Sequence, residues 1–529
     1  MNLRRLVTLC LTCVLLAACK SAPTPPAPTV TVEPTPTTVP PTPTTSPDES
    51  PAWLQDAILY EIVPRSFYDS NGDGLGDLPG ITSKFDYIQA LGANTLWLTP
   101  VFSATSSFGL DVTDYATIAP GLGTKEDLAN LIREAHNRKM RVVMDLPMAY
   151  TSSESVYFKD AYKKPTSPYS DWYQWTNTAH TAYKSYNNVR TLPLLDHKSA
   201  SVQSYFIQLA QTWLNAGVDG FRVSDADSVP HEFLKLYRQA FKRTNPNAVL
   251  LGEIWNSDPK KLAPFFQDEF DALFDVPLFY ALAANPDRNG GGMLNGRGSS
   301  TDLDAALNVT TLYTPTAELV RFAGNYDTNR TASLVNQNVE RARMAALLIL
   351  TLPGTPLIYY GDEIGMLGSL GTGALAEEYR RAPMDWNQSG KGAGVATWFK
   401  DAGKVNKPND NISVEEQQNV KDSLWSFYKM LITQRKEHPA LRGNSFQAVA
   451  SPCRTCYAYL RWDANDFYLI AVNFSDQTQS LTLDLAKTPR NVSGAGEDLI
   501  RGGTMSMPSN GRLTLTMEAR EARIVHWGK

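Results

Sequence analysis

The segment SVQSYFIQLAQTWLNAGVDGFRVS (201–224) contains a helix pattern followed at once by a strand pattern. Residues 201–217 place apolar side chains near the 3.6-residue spacing of a helix, and GFRVS (220–224) is a short apolar run. The same alternation continues on both sides of this segment, from Ala57 to Glu363. Short apolar runs there alternate with helical stretches such as KEDLANLIREAHNRK (125–139). This alternation is typical of repeated βα units.

The alternation yields eight candidate strands. They are AILYEIVP (57–64), TLWLTP (95–100), RVVMDL (141–146), GFRVS (220–224), VLLGEIW (249–255), ALFDVPL (272–278), LVRFAGN (319–325) and PLIYYGDE (356–363). Eight strands joined by helical crossovers predict an α/β fold, a closed (β/α)₈ TIM barrel, which we place over residues 52–443. Its active face is expected at the C-terminal ends of the strands.

Two further regions depart from this pattern. Residues 147–198 follow the third strand and are rich in Tyr, Trp, Ser and Asn, which predicts an insertion subdomain, since loops of this length are usually functional. Residues 444–529 change to alternation with a period of two and no helical stretch, as in FYLIAVNF (467–474). This pattern predicts a C-terminal antiparallel β-sandwich domain.

The N-terminus carries targeting signals. Two arginines precede a short apolar run, so residues 1–18 are interpreted as a signal peptide. Leu-Ala-Ala before Cys19 resembles a bacterial lipobox, which implies lipidation of Cys19 and an exported, membrane-anchored lipoprotein at the cell surface or in the periplasm. A plain secretory signal is the alternative. The Pro/Thr-rich stretch within 19–51 is predicted to be an extended linker.

The bulk composition excludes some partners. The 529 residues are 43% hydrophobic and carry a net charge of −5, which gives no electrostatic footprint for nucleic acid and favours a neutral or weakly polar partner. Cys453 and Cys456 form a lone C-x-x-C without the second pair that a structural zinc site needs. In an oxidising compartment this spacing favours a local disulfide over a redox site.

Motifs at the predicted strand ends carry a family resemblance. They are FYDSNGDGLGDLPGI (67–81), LGANTLWLTPVF (91–102), GVDGFRVSDADSVP (217–230), GEIW (252–255), RFAGNYDTNR (321–330), GTPLIYYGDEIGM (354–366) and RRAPMDWN (380–387). In this order the chain resembles the α-amylase family of glycoside hydrolases, in particular its oligosaccharide-acting branches. The resemblance implies retaining hydrolysis or transfer on α-linked glucans, in which one carboxylate attacks and one carboxylic acid protonates the leaving oxygen.

Several positions match the roles that the family resemblance implies. Glu253 matches the acid/base, Asp327 matches the carboxylate that holds sugar hydroxyls, and Arg222 matches the arginine of the fourth strand. Asp111 matches the motif aspartate after strand 2, and Trp255 of GEIW is expected to contact substrate. An alternative role for Arg222 and Asp327 is a buried ion pair that holds the strand ends together.

Other positions depart from the family pattern. Ser224 stands where the resemblance implies an aspartate nucleophile, Tyr150 and Tyr326 replace two sugar-binding histidines, Leu110 replaces a sugar-stacking tyrosine, and Ala149 replaces an asparagine that is often a calcium ligand. A neutral serine without a neighbouring base is a poor nucleophile and does not stabilise a developing positive charge.

A neighbouring carboxylate is an alternative nucleophile. Asp225 is expected to point away from Arg222 and Ser224, since side chains alternate along a strand. A bulge would turn Asp225 inward, but the six-residue spacing from Ser224 to Pro230 matches the family and shows no inserted residue. Replacement by Asp225 or Asp227 therefore stays open as the alternative.

A loop of alternating oxygen side chains predicts a structural Ca²⁺. Its ligands would be Asp69, Asn71, Asp73, the backbone of Leu75, and Asp77, and this spacing suits the six to eight hard ligands of calcium. The loop resembles the family's loop-held calcium rather than an EF-hand, because Gly80 stands where an EF-hand has Glu. A metal-free Asp/Gly turn is the alternative.

Three hypotheses for function follow. The first is a catalytically impaired lipoprotein that binds α-glucan or oligosaccharide, and the second is an active hydrolase or transglycosylase with altered residues. The third is a non-catalytic scaffold partner of a transporter or polysaccharide-processing complex, for which Tyr150 and Tyr326 would plug the cleft. The loop aromatics Tyr169, Trp172, Tyr173 and Trp175 either stack on sugar rings or pack the loop, whereas Trp97 and Trp213 are expected in the core.

Overall fold

The computed structural model describes residues 50–283, 292–308, 312–313, 317–371, 373–485, 488, 494–507 and 511–528. The predicted signal peptide (1–18), the lipidation of Cys19 and nearly all of the linker (19–51) lie outside these ranges. None of the helices within the described ranges is both long enough and apolar enough for a membrane crossing.

The predicted barrel is present. From the N-terminus to residue 359 the strands are β1 (Leu59–Ile62), β2 (Thr95–Leu98), β3 (Phe102–Ala104), β4 (Val112–Ile118), β5 (Arg141–Pro147), β6 (Gly220–Ser224), β7 (Val249–Gly252), β8 (Ala272–Phe274), β9 (Glu318–Arg321) and β10 (Thr355–Tyr359). Eight of them close in the order β1-β10-β9-β8-β7-β6-β5-β2 with parallel pairing. The hairpin of β3 and β4, which the sequence patterns missed, stands outside the barrel.

Helices surround the barrel and form its C-terminal flank. They are α1 (Pro64–Phe67), α2 (Leu78–Ser83), α3 (Phe85–Leu91), α4 (Lys125–Asn137), α5 (Val156–Ala161), α6 (Ala200–Asn215), α7 (His231–Thr244), α8 (Pro259–Leu262), α9 (Val276–Leu282), α10 (Ser300–Leu307), α11 (Thr331–Leu334), α12 (Val339–Thr351), α13 (Ala402–Val405), α14 (Val414–Gln417), α15 (Leu424–Glu437) and α16 (Pro439–Arg442).

Local sequence explains where the crossover helices begin. Thr124 caps α4 in a reciprocal capping box with Asp127, and Ser199 caps α6 through the amide of Val202. Each helix turns one apolar stripe inward, and α6 buries Phe206, Leu209 and Trp213 among others. Burial of such side chains contributes roughly 1.5–3 kcal/mol each.

The long segment between β5 and α6 is built around α5 and a set of isolated antiparallel bridges. Tyr150 pairs with Leu194, and Tyr173 pairs with Leu195, so both ends of the segment return to the mouth of the barrel. The segment therefore lies beside the C-terminal end of β5, where the active face is expected.

The C-terminal part is antiparallel, as predicted. Its strands are β11 (Gln447–Ala448), β12 (Cys456–Trp462), β13 (Phe467–Asn473), β14 (Gln479–Asp484), β15 (Ala495–Asp498), β16 (Thr504–Ser506), β17 (Arg512–Met517) and β18 (Ala522–Trp527). They form one sheet in the order β11-β12-β13-β18-β15-β16 and a second sheet of β14 and β17. A disulfide joins Cys453 to Cys456 just before and at the start of β12.

The larger sheet packs on both of its faces. Leu460 and Leu469 face the second sheet and share a core with Leu481. On the opposite face, Tyr459 and Ile470 join the core of the barrel. This double burial agrees with the barrel and the C-terminal sheets forming a single compact unit.

Candidate active site

Arg222 lies at the centre of a charged cluster inside the mouth of the barrel. It stands on β6 opposite Asp145 on β5, and its Nη1 donates to Asp145 Oδ1 at 2.9 Å. Its Nη2 contacts Glu253, directly after β7, and lies 3.8 Å from Asp327 Oδ2 in the loop after β9. The Arg222 side chain is fully buried, so it holds three strand ends together from within.

Asp327 is the most exposed member of the cluster. Its side chain is 23% exposed, whereas that of Glu253 is 3% exposed. Arg381 donates to Asp327 Oδ1 at 2.9 Å, and Arg380 donates to the backbone oxygen of Asp327 at 2.9 Å. The Arg381 guanidinium also lies 3.7 Å over the ring of Phe108. Two arginines, Arg222 and Arg381, therefore hold the Asp327 carboxylate in place.

Tyr326 occupies the interior between these charges. Its hydroxyl accepts from Arg222 Nη1 at 3.0 Å and donates to Asp145 Oδ2 at 3.3 Å, while its amide donates to Glu61 Oε1 at 3.1 Å. The side chain is only 1% exposed. Tyr326 therefore fills the base of the site and links Arg222 to Asp145.

Ser224 ends β6 and is 2% exposed. It faces the same side of the strand as Arg222, because residues two apart share a face. No carboxylate stands at the position of the expected nucleophile. The neighbouring backbone departs from strand geometry at Asp225, which is left-handed with φ 49° and ψ 42°.

The left-handed turn changes the expected direction of Asp225. The Asp225 carboxylate accepts from the Tyr150 hydroxyl at 3.2 Å and from the Tyr186 hydroxyl at 2.5 Å, and the two rings stack with centroids 4.6 Å apart. Strand alternation predicted that Asp225 points away from the site. The structure instead turns it toward Tyr150, because the strand ends at Ser224 and alternation no longer applies.

Carboxyl groups outnumber guanidinium groups in the described part of this cluster. The carboxyl groups belong to Glu61, Asp145, Asp225, Glu253 and Asp327, and the guanidinium groups to Arg222 and Arg381. Two cations do not balance five buried or half-buried carboxylates, so some of these groups keep their protons.

Burial is the main cause of the resulting pKa shifts. Burial raises the pKa of Asp145 to about 7 and raises the pKa of Glu61 well above its usual range. Burial, with Asp327 and Asp225 nearby, also raises the pKa of Glu253 despite the opposing effect of Arg222. A Glu253 that stays protonated at neutral pH is suited to donate a proton to a leaving oxygen.

Other predicted substrate contacts lie outside the charged cluster. Asp111 binds the amide of Ser106 at 3.0 Å and the Ser106 hydroxyl at 2.5 Å, so it orders the turn between β3 and β4. Leu110 and Trp255 are partly buried against the main core, and Trp255 packs edge-on against Phe279. Whether they contact a sugar stays a prediction.

The aromatic residues of the insertion mostly pack against one another. Trp172 stacks on Tyr157 with centroids 4.8 Å apart, and the Tyr173 hydroxyl lies 3.0 Å from that of Thr151. Trp175 stacks on His180 at 4.4 Å. This packing favours the structural role for these residues. Trp97 and Trp213 are buried, as expected.

The predicted calcium loop is held by its own side chains. Asp69 accepts from the amides of Asn71, Gly72 and Gly74 at 3.2, 2.6 and 2.8 Å. Asp77 caps α2 through Gly80 and accepts from Ser70. Asn71 and Asp73 are exposed. Asn71 Oδ1 accepts from the amide of Asp73 at 2.8 Å, and the Asp73 carboxylate accepts from the amide of Leu75 at 2.8 Å and from Asn71 Nδ2 at 3.2 Å. Oxygen donors of this kind suit a hard cation, and Ca²⁺ in this loop stays a prediction.

The sequence reasoning did not single out several residues of the site. Asp145 lies in the strand pattern RVVMDL, and Arg381 lies in the motif RRAPMDWN. Neither residue was expected to take part in the site. The sequence signal for Asp145 is an acidic residue near the end of an apolar strand run, and the structure pairs this residue with Arg222 across β5 and β6. Tyr186 and Glu61 carry no local signal, because long-range folding brings them to the site.

Known proteins share this architecture. The family model described as the alpha amylase catalytic domain matches residues 61–444. Alpha-amylase 3 of Dictyoglomus thermophilum is 31% identical over 428 residues, which cover 77% of this chain and 82% of that protein. The chain therefore belongs to the alpha-amylase family, and the resemblance seen in the motifs is confirmed.

Two further relatives share most of the chain. Glucan 1,6-alpha-glucosidase of Streptococcus pneumoniae is 29% identical over 511 residues, which cover 82% of this chain and 93% of that protein. The crystal structure of alpha-amylase from H. orenii superposes with a TM-score of 0.76 and 29% sequence identity, covering 89% of this chain and 99% of that chain.

Proposed function

We propose that this protein binds α-linked glucans or oligosaccharides at the mouth of its barrel and hydrolyses them poorly or not at all. The observation that carries the proposal is Ser224, a neutral side chain at the end of β6 within an otherwise complete charged cluster. The names of the relatives, an alpha-amylase and a glucan 1,6-alpha-glucosidase, support α-glucans as the ligand class.

The chemistry of the cluster supports impaired hydrolysis. Retaining glycoside hydrolysis needs a carboxylate that attacks the anomeric carbon and a second carboxyl group that protonates the leaving oxygen. Glu253 remains available for the second role, whereas Ser224 supplies neither the negative charge nor the leaving ability of a carboxylate. Loss of one member of a cooperating catalytic set costs about 10⁴–10⁶ in rate.

The same cluster supports sugar binding. Asp327 is oriented by Arg381 and its side chain remains 23% exposed, so its carboxylate can still accept a hydrogen bond from a ligand. Charged groups held in place by buried partners are suited to fix the hydroxyls of a neutral sugar, because their hydrogen bonds need no reorganisation on binding.

An active hydrolase or transglycosylase is the second candidate, and Asp225 favours it. Asp225 lies directly after Ser224, and its left-handed backbone turns its carboxylate toward Tyr150. The two tyrosine hydroxyls, however, already hold both of its oxygens. We rank this candidate second, because attack on a sugar would require Asp225 to leave at least one of these hydrogen bonds.

The test measures binding and turnover together. The wild-type protein and Glu253→Gln are titrated with a panel of α-1,4- and α-1,6-linked oligosaccharides, and the products are quantified after long incubation. Saturable binding of wild type with no turnover above Glu253→Gln supports the proposal. Turnover at a rate typical of enzymes, about 1–10³ s⁻¹, that disappears in Glu253→Gln refutes impaired hydrolysis. Loss of that turnover in Asp225→Asn as well would identify the second candidate as correct.

We also propose that the protein is an exported lipoprotein anchored through Cys19 and stabilised by Ca²⁺ in the loop of Asp69–Asp77. The lipobox-like sequence and the Pro/Thr-rich linker support the first part, and the oxygen donor set supports the second. Fractionation of cells that express wild type or Cys19→Ser tests the anchor. Recovery of wild type outside the membrane fraction would overturn it.

A further inference from the structure

Two of the six histidines in the chain converge on one carboxylate far from the sequence motifs of the barrel. His438 Nδ1 lies 3.1 Å from Asp466 Oδ2, and His526 Nε2 lies 2.7 Å from Asp466 Oδ1. The two imidazole rings stand edge to face with centroids 4.7 Å apart. One ligand atom from each of the three residues lies within 4.8 Å of the other two.

We infer that His438, Asp466 and His526 form a binding site for a divalent transition metal of the zinc type. Two imidazole nitrogens and one carboxylate oxygen are the donors that Zn²⁺ accepts, whereas Ca²⁺ and Mg²⁺ prefer oxygen donors alone. Zinc bonds to such donors at about 2.0–2.2 Å, which separates neighbouring ligands in a tetrahedron by about 3.3 Å. The two imidazole nitrogens lie 2.7 and 3.1 Å from different oxygens of Asp466, and the three ligand atoms lie within 4.8 Å of one another, so small side-chain rotations bring them to this geometry.

The surroundings suit a bound cation. The side chains of His438, Asp466 and His526 are 22%, 13% and 16% exposed, so an ion can enter from solvent and is then largely enclosed. The His526 ring stacks on Tyr468 at 4.3 Å, which fixes its plane. In a tetrahedral zinc site, three protein ligands would leave the fourth position for a water molecule.

The three ligands come from separate elements and join two parts of the fold. His438 lies between α15 and α16 on the barrel side, Asp466 lies in the turn between β12 and β13, and His526 lies on β18. Without metal, the carboxylate bridges the two imidazoles by hydrogen bonds. With Zn²⁺, each neutral imidazole would bind the ion through the nitrogen that faces Asp466 and carry its proton on the other ring nitrogen, so the ion would link the C-terminal sheet to the last barrel helices.

The test uses the purified full-length protein after removal of metals with EDTA. Calorimetric titration with Zn²⁺ is expected to show one site, and Co²⁺ is expected to give the visible absorption of a low-coordinate nitrogen and oxygen site. His438→Gln, His526→Gln and Asp466→Asn are each expected to weaken Zn²⁺ binding at least 10-fold, since loss of even an outer partner costs about 10–100-fold.

A matched control is His136→Gln. His136 also pairs with a carboxylate, Asp219 at 2.8 Å, but no second histidine joins that pair in the described structure. Zn²⁺ is expected to raise the melting temperature of wild type and His136→Gln and to leave the three site variants unchanged. Circular dichroism in EDTA verifies that each variant is folded. Absence of Zn²⁺ uptake, or uptake equal in wild type and all folded site variants, overturns the inference.

Discussion

Replacement of Ser224 by aspartate is the sharpest perturbation of the site. Ser224 ends β6 on the face that carries Arg222, and it is 2% exposed. Ser224→Asp adds a carboxylate at this position without changing the backbone of the strand. Arg222, two residues earlier on the same face, carries the nearest cation along this strand, and its positive charge would favour the ionised form of a carboxylate near it.

The expected gain in activity is large. If the missing carboxylate is the main defect, Ser224→Asp recovers part of the roughly 10⁴–10⁶ in rate that such a loss costs. We expect an increase of at least about 10²-fold in kcat/KM, equivalent to about 2.7 kcal/mol. The increase falls short of the full range, because Tyr326 and Tyr150 still occupy the places of the two histidines.

The assay compares wild type, Ser224→Asp and the double variant with Glu253→Gln on an α-1,4 and an α-1,6 oligosaccharide. Activity in Ser224→Asp that disappears in the double variant supports the reasoning. Ser224→Ala is the matched control and is expected to equal wild type. A tenfold loss in Ser224→Ala, or no gain in a folded Ser224→Asp that binds substrate, would refute the assignment of Ser224 as the defect.

Three further predictions concern charge and metal. Arg222→Met leaves buried carboxylates unpaired and is expected to lower the free energy of unfolding by about 3–5 kcal/mol at pH 8; an unchanged urea midpoint would contradict this. Burial raises the pKa of Asp145 from 3.8 to about 7, so the contribution of this carboxyl group to stability is full below pH 4 and is lost as the pH rises to 7, by on the order of 4 kcal/mol; in urea titrations, Asp145→Asn should lose less stability over this pH range than wild type. EGTA should lower the melting temperature of wild type but not of Asp73→Ala, which lacks an exposed ligand of the predicted calcium loop.

The barrel was predictable because its signals are local and repeated. VLLGEIW and PLIYYGDE are short apolar runs between amphipathic segments, and the structure places β7 and β10 within them or one residue before. The apolar run ALFDVPL predicts one strand, yet β8 ends at Phe274 and α9 begins at Val276. Asp275 caps that helix through Leu278, which explains why the run does not continue as strand.

The site was predictable only in part. Arg222, Glu253 and Asp327 meet, because they lie within β6 and in the segments after β7 and β9, and their catalytic roles stay predictions. The conformation of Asp225 was not readable from spacing, since a left-handed residue adds no residue to the chain. The pairing of His438 with His526 was equally hidden, because 87 residues of sequence lie between them and they belong to different elements of the fold.

The most direct test of impaired catalysis is a search for the covalent glycosyl-enzyme. Glu253→Gln and Ser224→Asp/Glu253→Gln are incubated with an α-glucosyl fluoride, whose leaving group needs no acid, and the intact masses are measured. Without Glu253 as base, an intermediate that forms is expected to accumulate. We predict one added hexosyl group in the double variant and none in Glu253→Gln. A hexosyl adduct in Glu253→Gln, mapped to Asp225 or Asp227, would contradict the claim that the nucleophile is missing.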